Sequence, residues 1–294
     1  MGYGLGIDTG GTYTDAVIFD FERSRVICAS KAITVKQDLK IGIIDAIDRL
    51  SPEPLGDIQL VSLSTTLATN ACVEGKGCRA KLVMIGCDEV VAEKYGHEYG
   101  LPEPGEIIFI GGGHNQKGEK VADPDWDRLK ARVLRCMHEA DVFAVVELWG
   151  IRNSEYEIKA KNLIVSWTGL PVVCGVELTG EINSLKRAVS AYLNAQLIPI
   201  INEFLNSVRA SLVQKGIKAP IAIVRGDGSL MSEKFAREKP VETLLCGPAA
   251  SISGGISLTG SKDCIVIDMG GTTSDIAIAY GGVPKYALEG AVIG

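Results

Sequence analysis

Two short segments of the sequence repeat one arrangement of aspartate, glycine and threonine residues. The first, GLGIDTGGTYTDAVIF, covers residues 4–19, and the second, CIVIDMGGTTSDIAIA, covers residues 264–279. They align without gaps at a constant separation of 260 residues. In each copy an apolar run leads to an aspartate, then to two glycines and a threonine, and a second aspartate follows. This recurrence predicts two copies of one strand–turn–strand hairpin.

The residue types in each copy are those that bind phosphate groups and Mg²⁺. Glycine has no Cβ, so the backbone N–H groups beside it can approach a phosphate closely, and the threonine hydroxyl adds a donor. Mg²⁺ prefers oxygen ligands and keeps several waters, so one or two aspartates beside a polyphosphate are enough to hold it. We therefore predict that the two hairpins bind ATP and Mg²⁺, with Asp8 and Asp268 as catalytic residues and metal ligands. The predicted nucleotide-binding residues are Thr9, Gly10, Gly11, Thr12, Gly270, Gly271, Thr272 and Thr273.

The second aspartate of each hairpin, Asp15 or Asp275, has two possible roles. It either supports the metal ligands or caps the returning strand. A separate polar group, Ser64 to Asn70, follows a predicted strand and enters a helix, where hydroxyl and N–H groups bind a carbonyl or anion or simply cap the helix. Asp227 follows another predicted strand. The predicted substrate-binding residues are Thr65, Thr66, Asn70 and Asp227.

Composition and charge narrow the class of protein. The 294 residues are 46% hydrophobic and 22% charged, with a net charge of −6 and no long basic run, which argues against nucleic acid or a membrane as partner. Neither a P-loop nor a dinucleotide fingerprint is present. The eight cysteines include no C-x-x-C pair, which indicates reduced thiols in the cytoplasm. The three histidines, at positions 97, 114 and 138, are predicted to be surface residues rather than catalytic bases.

Strand and helix patterns alternate along most of the chain, which predicts mixed sheets covered by helices. The apolar residues from about position 183 to 212 recur at helical spacing, and we expect Pro199 to kink or interrupt that helix. Residues 96–120 are rich in glycine, proline and charge, which predicts a mobile excursion.

These motifs resemble those of the actin/hexokinase superfamily and, more closely, of the hydantoinase/oxoprolinase family. The matching segments are GIDTGGTYTDAVIFD at 6–20, STTLATNACVEGKGCRAKLV at 64–83, INSLKRAVSAYLNAQLIPII at 182–201, GDGSLMS at 226–232, KPVETLLCGPAAS at 239–251 and DMGGTTSDIAI at 268–278. The sequence departs from the family at Ser64, where glycine is common, and at Cys246, where serine is usual.

The resemblance implies an actin/hexokinase-like (ribonuclease H-like) two-lobed α/β fold whose mixed sheets are flanked by helices. It implies a hydantoinase/oxoprolinase N-terminal domain over residues 1–180, and a connecting helix with the start of a second ATPase lobe over residues 181–294. We expect the second lobe to be incomplete and residues 1–294 to have little activity alone, because the superfamily's adenosine-binding motif lies beyond this region.

The resemblance also implies an ATP-dependent hydrolase or carboxylase subunit. Its substrate would be a small cyclic amide, such as a hydantoin or oxoproline, or a ketone, and its partner a second subunit of the hydantoinase B type. The alternatives are a small-metabolite kinase of the same superfamily, which would release a phosphorylated product, and a nucleotide-gated regulatory module.

Overall fold

The computed structural model describes residues 2–50, 55–269 and 274–285. Its contacts divide the chain into two units. Unit 1 consists of Met1–Lys76 and Ile200–Gly294, and unit 2 of Gly77–Pro199. This division differs from the predicted boundary at residue 180, because the chain leaves unit 1 early and returns to it within a helix. The predicted division into domains at residue 180 stays a prediction.

Unit 1 contains a six-stranded mixed sheet. Its strands, in the order β12-β11-β4-β1-β2-β3, are β1 (Tyr3–Thr9), β2 (Tyr13–Asp20), β3 (Arg25–Ile33), β4 (Ile58–Thr65), β11 (Ile221–Val224) and β12 (Leu230–Ser232). β4 pairs in parallel with β1 and β11, and the other three pairings are antiparallel. The parallel pairings place the carboxyl ends of β1, β4 and β11 at one edge of the sheet.

The helices and smaller sheet of unit 1 complete its architecture. The helices are α1 (Leu39–Asp48), α2 (Leu67–Val73), α8 (Glu233–Glu238) and α9 (Cys246–Thr259). The antiparallel second sheet consists of β13 (Cys264–Met269), β14 (Ser274–Tyr280) and β15 (Val283–Pro284). α1 packs on β2 and β3, and α9 packs on strands of both sheets. Asp38 caps α1, because its carboxylate accepts a hydrogen bond from the N–H of Lys40 at 3.0 Å.

The two repeated hairpins differ in burial. In β1 the apolar side chains of Leu5 and Ile7 are buried in the core. The matching side chains of β13, Ile265 and Ile267, are exposed by 65% and 61%. The same hairpin pattern therefore has a packed face in its first copy and an exposed apolar face in its second.

Unit 2 contains a four-stranded parallel sheet in the order β10-β9-β5-β6. These strands are β5 (Ala80–Ile85), β6 (Ile107–Ile110), β9 (Val142–Glu147) and β10 (Val172–Cys174), and a separate two-stranded ribbon joins β7 (Gly113–His114) and β8 (Lys120–Ala122). The helices are α3 (Glu89–Tyr99), α4 (Trp126–Cys136), α5 (Glu155–Thr168), α6 (Gly175–Leu178) and the first part of α7 (Ser184–Gln214).

Helices cover both faces of this parallel sheet. On one face, Leu129 of α4 and Ala160 of α5 pack against Val83 and neighbouring strand residues. On the other, Ala188 of α7 packs against Leu82. Strands buried on two faces are mainly apolar, which explains why β5 and β9 consist of apolar residues apart from Lys81 and Glu147. The predicted α/β class, with mixed sheets flanked by helices, is confirmed.

Three sequence predictions need correction. Residues 96–120 do not form a mobile excursion, because they include the buried strand β6, which pairs with β5. His114 is not a surface residue: it is 6% exposed, and its Nδ1 lies 2.8 Å from the Glu147 carboxylate. Pro199 does not interrupt α7, which continues through it, although the boundary between the units falls at that residue.

Candidate functional site

The repeat seen in the sequence is also a repeat in three dimensions. In the first hairpin, Asp8 of β1 lies directly opposite Asp15 of β2. In the second, Asp268 of β13 lies directly opposite Asp275 of β14. In each hairpin, therefore, the two aspartates form one cross-strand pair of carboxylates.

A pocket of about 200 Å³ lies against the first hairpin in unit 1. Its walls come from β1, β2, β4 and β11 of the mixed sheet and from α9. The lining residues are Gly6, Ile7, Asp8, Asp15, Val17, Ser62, Ser64, Val224 and Ala250. The small side chains of β4 and α9 leave the space that the Asp8 carboxylate faces.

A serine hydroxyl holds each of the first aspartates. Ser64 Oγ donates a hydrogen bond to Asp8 Oδ1 at 2.6 Å, and Ser251 Oγ donates one to Asp268 Oδ2 at 2.6 Å. Ser64 is the parallel cross-strand neighbour of Asp8, whereas Ser251 lies on α9. The two repeats thus reach the same local arrangement, a carboxylate bound at one oxygen by a serine, from different elements.

The carboxylates also share one electrostatic environment. Burial raises the pKa of Asp8 above its usual value of 3.8, the Ser64 hydrogen bond lowers it, and the negative charges of Asp15 and Asp268 raise it further. Burial, followed by the charge of Asp268, raises the pKa of Asp275. A site that crowds carboxylates in this way favours a cation, which would relieve the repulsion between them.

The turn of the first hairpin is tight and lies beside α2. The N–H of Gly10 donates to the carbonyl oxygen of Tyr13 at 2.9 Å. A Cβ on Gly11 would lie 3.1 Å from Asn70 Nδ2, and that same nitrogen donates to Thr66 Oγ1 at 3.1 Å. The structure therefore brings the predicted residues Gly10, Gly11, Thr66 and Asn70 together at one corner of unit 1. Thr12 is exposed on the same turn.

Two of the predicted ligand-binding residues, Thr9 and Thr65, have buried side chains. Thr9 is fully buried, and its Oγ1 has no hydrogen-bond partner within the described ranges. Thr65 is 1% exposed, its Oγ1 donates to the carbonyl oxygen of Thr9 at 2.8 Å, and it accepts a hydrogen bond from the N–H of Leu67 at 3.2 Å. This bonding supports the helix-capping alternative for Thr65.

Asp227 lies in the turn between β11 and β12. Its Oδ1 accepts hydrogen bonds from the N–H and hydroxyl of Ser229, at 2.9 and 2.6 Å, and its Oδ2 lies 3.4 Å from the Arg225 guanidinium. Asp227 is exposed and is not among the residues that line the pocket beside Asp8. Its predicted substrate contact stays a prediction. Gly270, Gly271, Thr272 and Thr273 lie outside the described residues.

Sequence reasoning missed two residues of the site. Ser251 ends a motif that carried the family resemblance, but its contact with Asp268 depends on how α9 packs against β13. Cys246 is fully buried, and its thiol donates to the carbonyl oxygen of Thr65 at 3.1 Å while accepting from the Thr65 N–H at 3.3 Å. The thiol therefore connects the start of α9 to the end of β4.

Comparison with known proteins identifies the family. The hydantoinase/oxoprolinase N-terminal region model matches residues 4–167, and the hydantoinase/oxoprolinase model matches residues 187–294. The chain belongs to the hydantoinase/oxoprolinase family. Among curated members of this family, it is 26% identical over 313 residues to caprolactamase subunit alpha of Pseudomonas jessenii. It is also 26% identical over 283 residues to 5-oxoprolinase 1 of Arabidopsis thaliana.

Solved structures agree with this family assignment. The ATP-dependent caprolactamase from Pseudomonas jessenii has a TM-score of 0.75 and 26% identity, over 94% of this chain and 43% of that one. A nucleotide-free acetone carboxylase has a TM-score of 0.83 at 20% identity, over 95% of this chain and 44% of that one, which shows the shared fold. The chain spans 45% of caprolactamase subunit alpha and 22% of the plant 5-oxoprolinase, so it corresponds to less than half of these hydantoinase/oxoprolinase relatives.

The described residues offer few protein ligands for a metal ion. Within those ranges, no group of three or more His, Cys, Asp and Glu side chains could hold one. A hydrated Mg²⁺ beside a polyphosphate needs one or two carboxylates, and the pair Asp8 and Asp268 fits that requirement. No helix in this part of the chain combines the length and apolar character needed to cross a membrane.

Proposed function

We propose that unit 1 binds Mg²⁺ and ATP beside Asp8 and Asp268. The observation that carries this proposal is the repeated arrangement of the two aspartates. Each is bound at one oxygen by a serine, and the charge of Asp268 contributes to the raised pKa of Asp8. The free oxygens of the two carboxylates would hold the hydrated ion, which when bound neutralises phosphate charge. The turn at Gly10 and Gly11 would supply backbone N–H groups to the phosphates.

We further propose that the whole protein is an ATP-dependent hydrolase or carboxylase subunit acting on a small cyclic amide or a ketone. Family membership supports this reaction class, since two relatives carry the names caprolactamase and 5-oxoprolinase. Amides are poor electrophiles. Transfer of the γ-phosphoryl group from ATP to the amide oxygen, with ADP as the leaving group, would activate the carbonyl carbon toward water, after which the C–N bond breaks and inorganic phosphate is released. The residues of unit 1 would bind and orient the nucleotide for that in-line transfer.

A second subunit is part of the proposal. The Pseudomonas jessenii relative is named as subunit alpha. Co-purification of the intact protein with a second subunit of the hydantoinase B type would support this partnership. A monomer that turns over its substrate without any other protein would contradict it.

A substrate screen on the intact protein tests the proposed reaction. ATP-dependent release of inorganic phosphate is measured with hydantoins, oxoproline, larger lactams and ketones, and each product is identified by mass spectrometry. We expect one cyclic amide or ketone to stimulate phosphate release together with its hydrolysis or carboxylation. A stable phosphorylated product would instead indicate a metabolite kinase. Slow ATP hydrolysis whose rate none of these compounds changes would indicate a nucleotide-gated module.

A further inference from the structure

The serine contacts make the two carboxylate oxygens of each aspartate unequal. Asp8 Oδ1 and Asp268 Oδ2 accept hydrogen bonds from Ser64 and Ser251. Asp8 Oδ2 and Asp268 Oδ1 have no partner within the described ranges, which leave out the turn at residues 270–273. Among the described residues, each carboxylate therefore has one oxygen bound by a serine and a second oxygen that could face a cation.

This division bears on which divalent cation the site prefers. Ca²⁺ takes six to eight oxygen ligands at roughly 2.3–2.6 Å and often binds both oxygens of one carboxylate. Mg²⁺ demands octahedral geometry at about 2.0–2.1 Å, keeps several waters and is usually held by single carboxylate oxygens. A hydrogen bond from a serine to one oxygen disfavours two-oxygen binding, because it occupies one of that oxygen's two lone pairs and fixes the direction in which the carboxylate faces.

We propose that Ser64 and Ser251 determine the selectivity of this site for Mg²⁺ over Ca²⁺. This inference rests on the proposed binding of Mg²⁺ and ATP in unit 1. The serines act as positioning residues: each fixes its aspartate so that a single oxygen faces the cation. Because the two serines lie on different elements, β4 and α9, the same constraint is imposed independently on the two halves of the repeat.

The local packing suits such a role. Ser64 is 7% exposed and lies opposite Asp8 in the parallel register of β4 and β1, so its hydroxyl has little freedom to turn elsewhere. Ser251 is half-buried on α9, which packs against β13 and holds the hydroxyl beside Asp268.

The test compares cation selectivity in the intact protein. Calorimetry measures binding of a non-hydrolysable ATP analogue in the presence of Mg²⁺ or Ca²⁺. The proteins compared are the wild type, Ser64→Ala, Ser251→Ala and the double variant. We expect Mg²⁺-dependent affinity to fall by roughly tenfold in the double variant, and the preference for Mg²⁺ over Ca²⁺ to shrink by a similar factor. Ser64→Thr and Ser251→Thr keep the hydroxyl and should retain the wild-type preference.

Controls separate selectivity from folding and from the proposed function. Ser257→Ala changes an exposed serine on α9 that forms no hydrogen bond with an aspartate among the described residues, and should leave the preference unchanged. If Ser64→Ala does not fold, Ser64→Gly provides the same loss of the hydroxyl. Equal losses of Mg²⁺- and Ca²⁺-dependent binding, or an unchanged preference, would overturn the selectivity inference alone. A wild-type protein whose nucleotide binding needs no divalent cation would overturn the proposed function and this inference with it.

Discussion

Glu157 lies fully buried in unit 2, where both of its carboxylate oxygens accept backbone hydrogen bonds. Oε1 accepts from the N–H of Glu147 at 2.9 Å, and Oε2 from the N–H of Val176 at 3.0 Å. Burial raises the pKa of Glu157 from its usual 4.5 to about 7, and these hydrogen bonds and the charge of Arg187 oppose that shift only in part. The residue therefore changes charge near neutral pH.

The raised pKa makes the stability of the protein depend on pH. The folded state holds the Glu157 proton more tightly than the unfolded state, so this stabilisation is complete below pH 4.5 and is lost as the pH rises to about 7. Glu157→Gln removes this titration. The free energy of unfolding of the variant minus that of the wild type should therefore increase across this pH window and stay constant above it. Urea unfolding between about pH 5 and about pH 8 measures the difference. Glu155→Gln, an exposed neighbour on α5, is the matched control, and parallel profiles for Glu157→Gln and the wild type would contradict the account.

The turn after β5 shows how backbone geometry limits an element. Gly86 has φ of +70°, and a Cβ there would lie 2.6 Å from the carbonyl oxygen of Gly112. The N–H of Gly86 donates to the carbonyl oxygen of Ile110 at 2.8 Å, which connects the ends of β5 and β6. A side chain at Gly86 would push these two strand ends apart.

Replacing Gly86 tests this element directly. Gly86→Ala combines an unfavourable backbone conformation with a clash against backbone, so we expect a loss of about 1–3 kcal/mol in the free energy of unfolding. Gly111→Ala is the control, since Gly111 has no heavy atom within 4 Å of a built Cβ and is not among the glycines with positive φ. Both are measured by urea unfolding. Equal stability of the two variants would show that the turn relaxes easily.

Local sequence patterns predicted most helices and strands of the fold, but not every contact between them. The hairpin pattern in residues 4–19 correctly predicted β1 and β2. β6 was missed because its four-residue apolar run lies among glycines, prolines and charges, and its strand conformation depends on pairing with β5. The contact of Ser251 with Asp268 was missed for a related reason: tertiary packing of α9, rather than spacing in the sequence, places the hydroxyl.

Across the whole molecule, the chain returns to unit 1 after forming unit 2. Asp8 and Asp268 belong to the same unit although 260 residues separate them. The internal repeat predicts that the two hairpins act on one ligand, and this stays a prediction. The charge of Asp268 contributes to the raised pKa of Asp8. Family membership supports the proposed class of reaction.

Mg²⁺-dependent binding of ATP is the most direct test of the central claim that Asp8 and Asp268 form one metal–nucleotide site. Calorimetric titration of the intact protein with Mg²⁺ and ATP compares the wild type with Asp8→Asn and Asp268→Asn. Asp57→Asn, which changes an exposed aspartate just before β4, is the control. The account predicts that each site variant lowers Mg²⁺-dependent affinity by roughly tenfold or more, together with turnover, and that the control does not. Unchanged affinity and turnover in both site variants would contradict it.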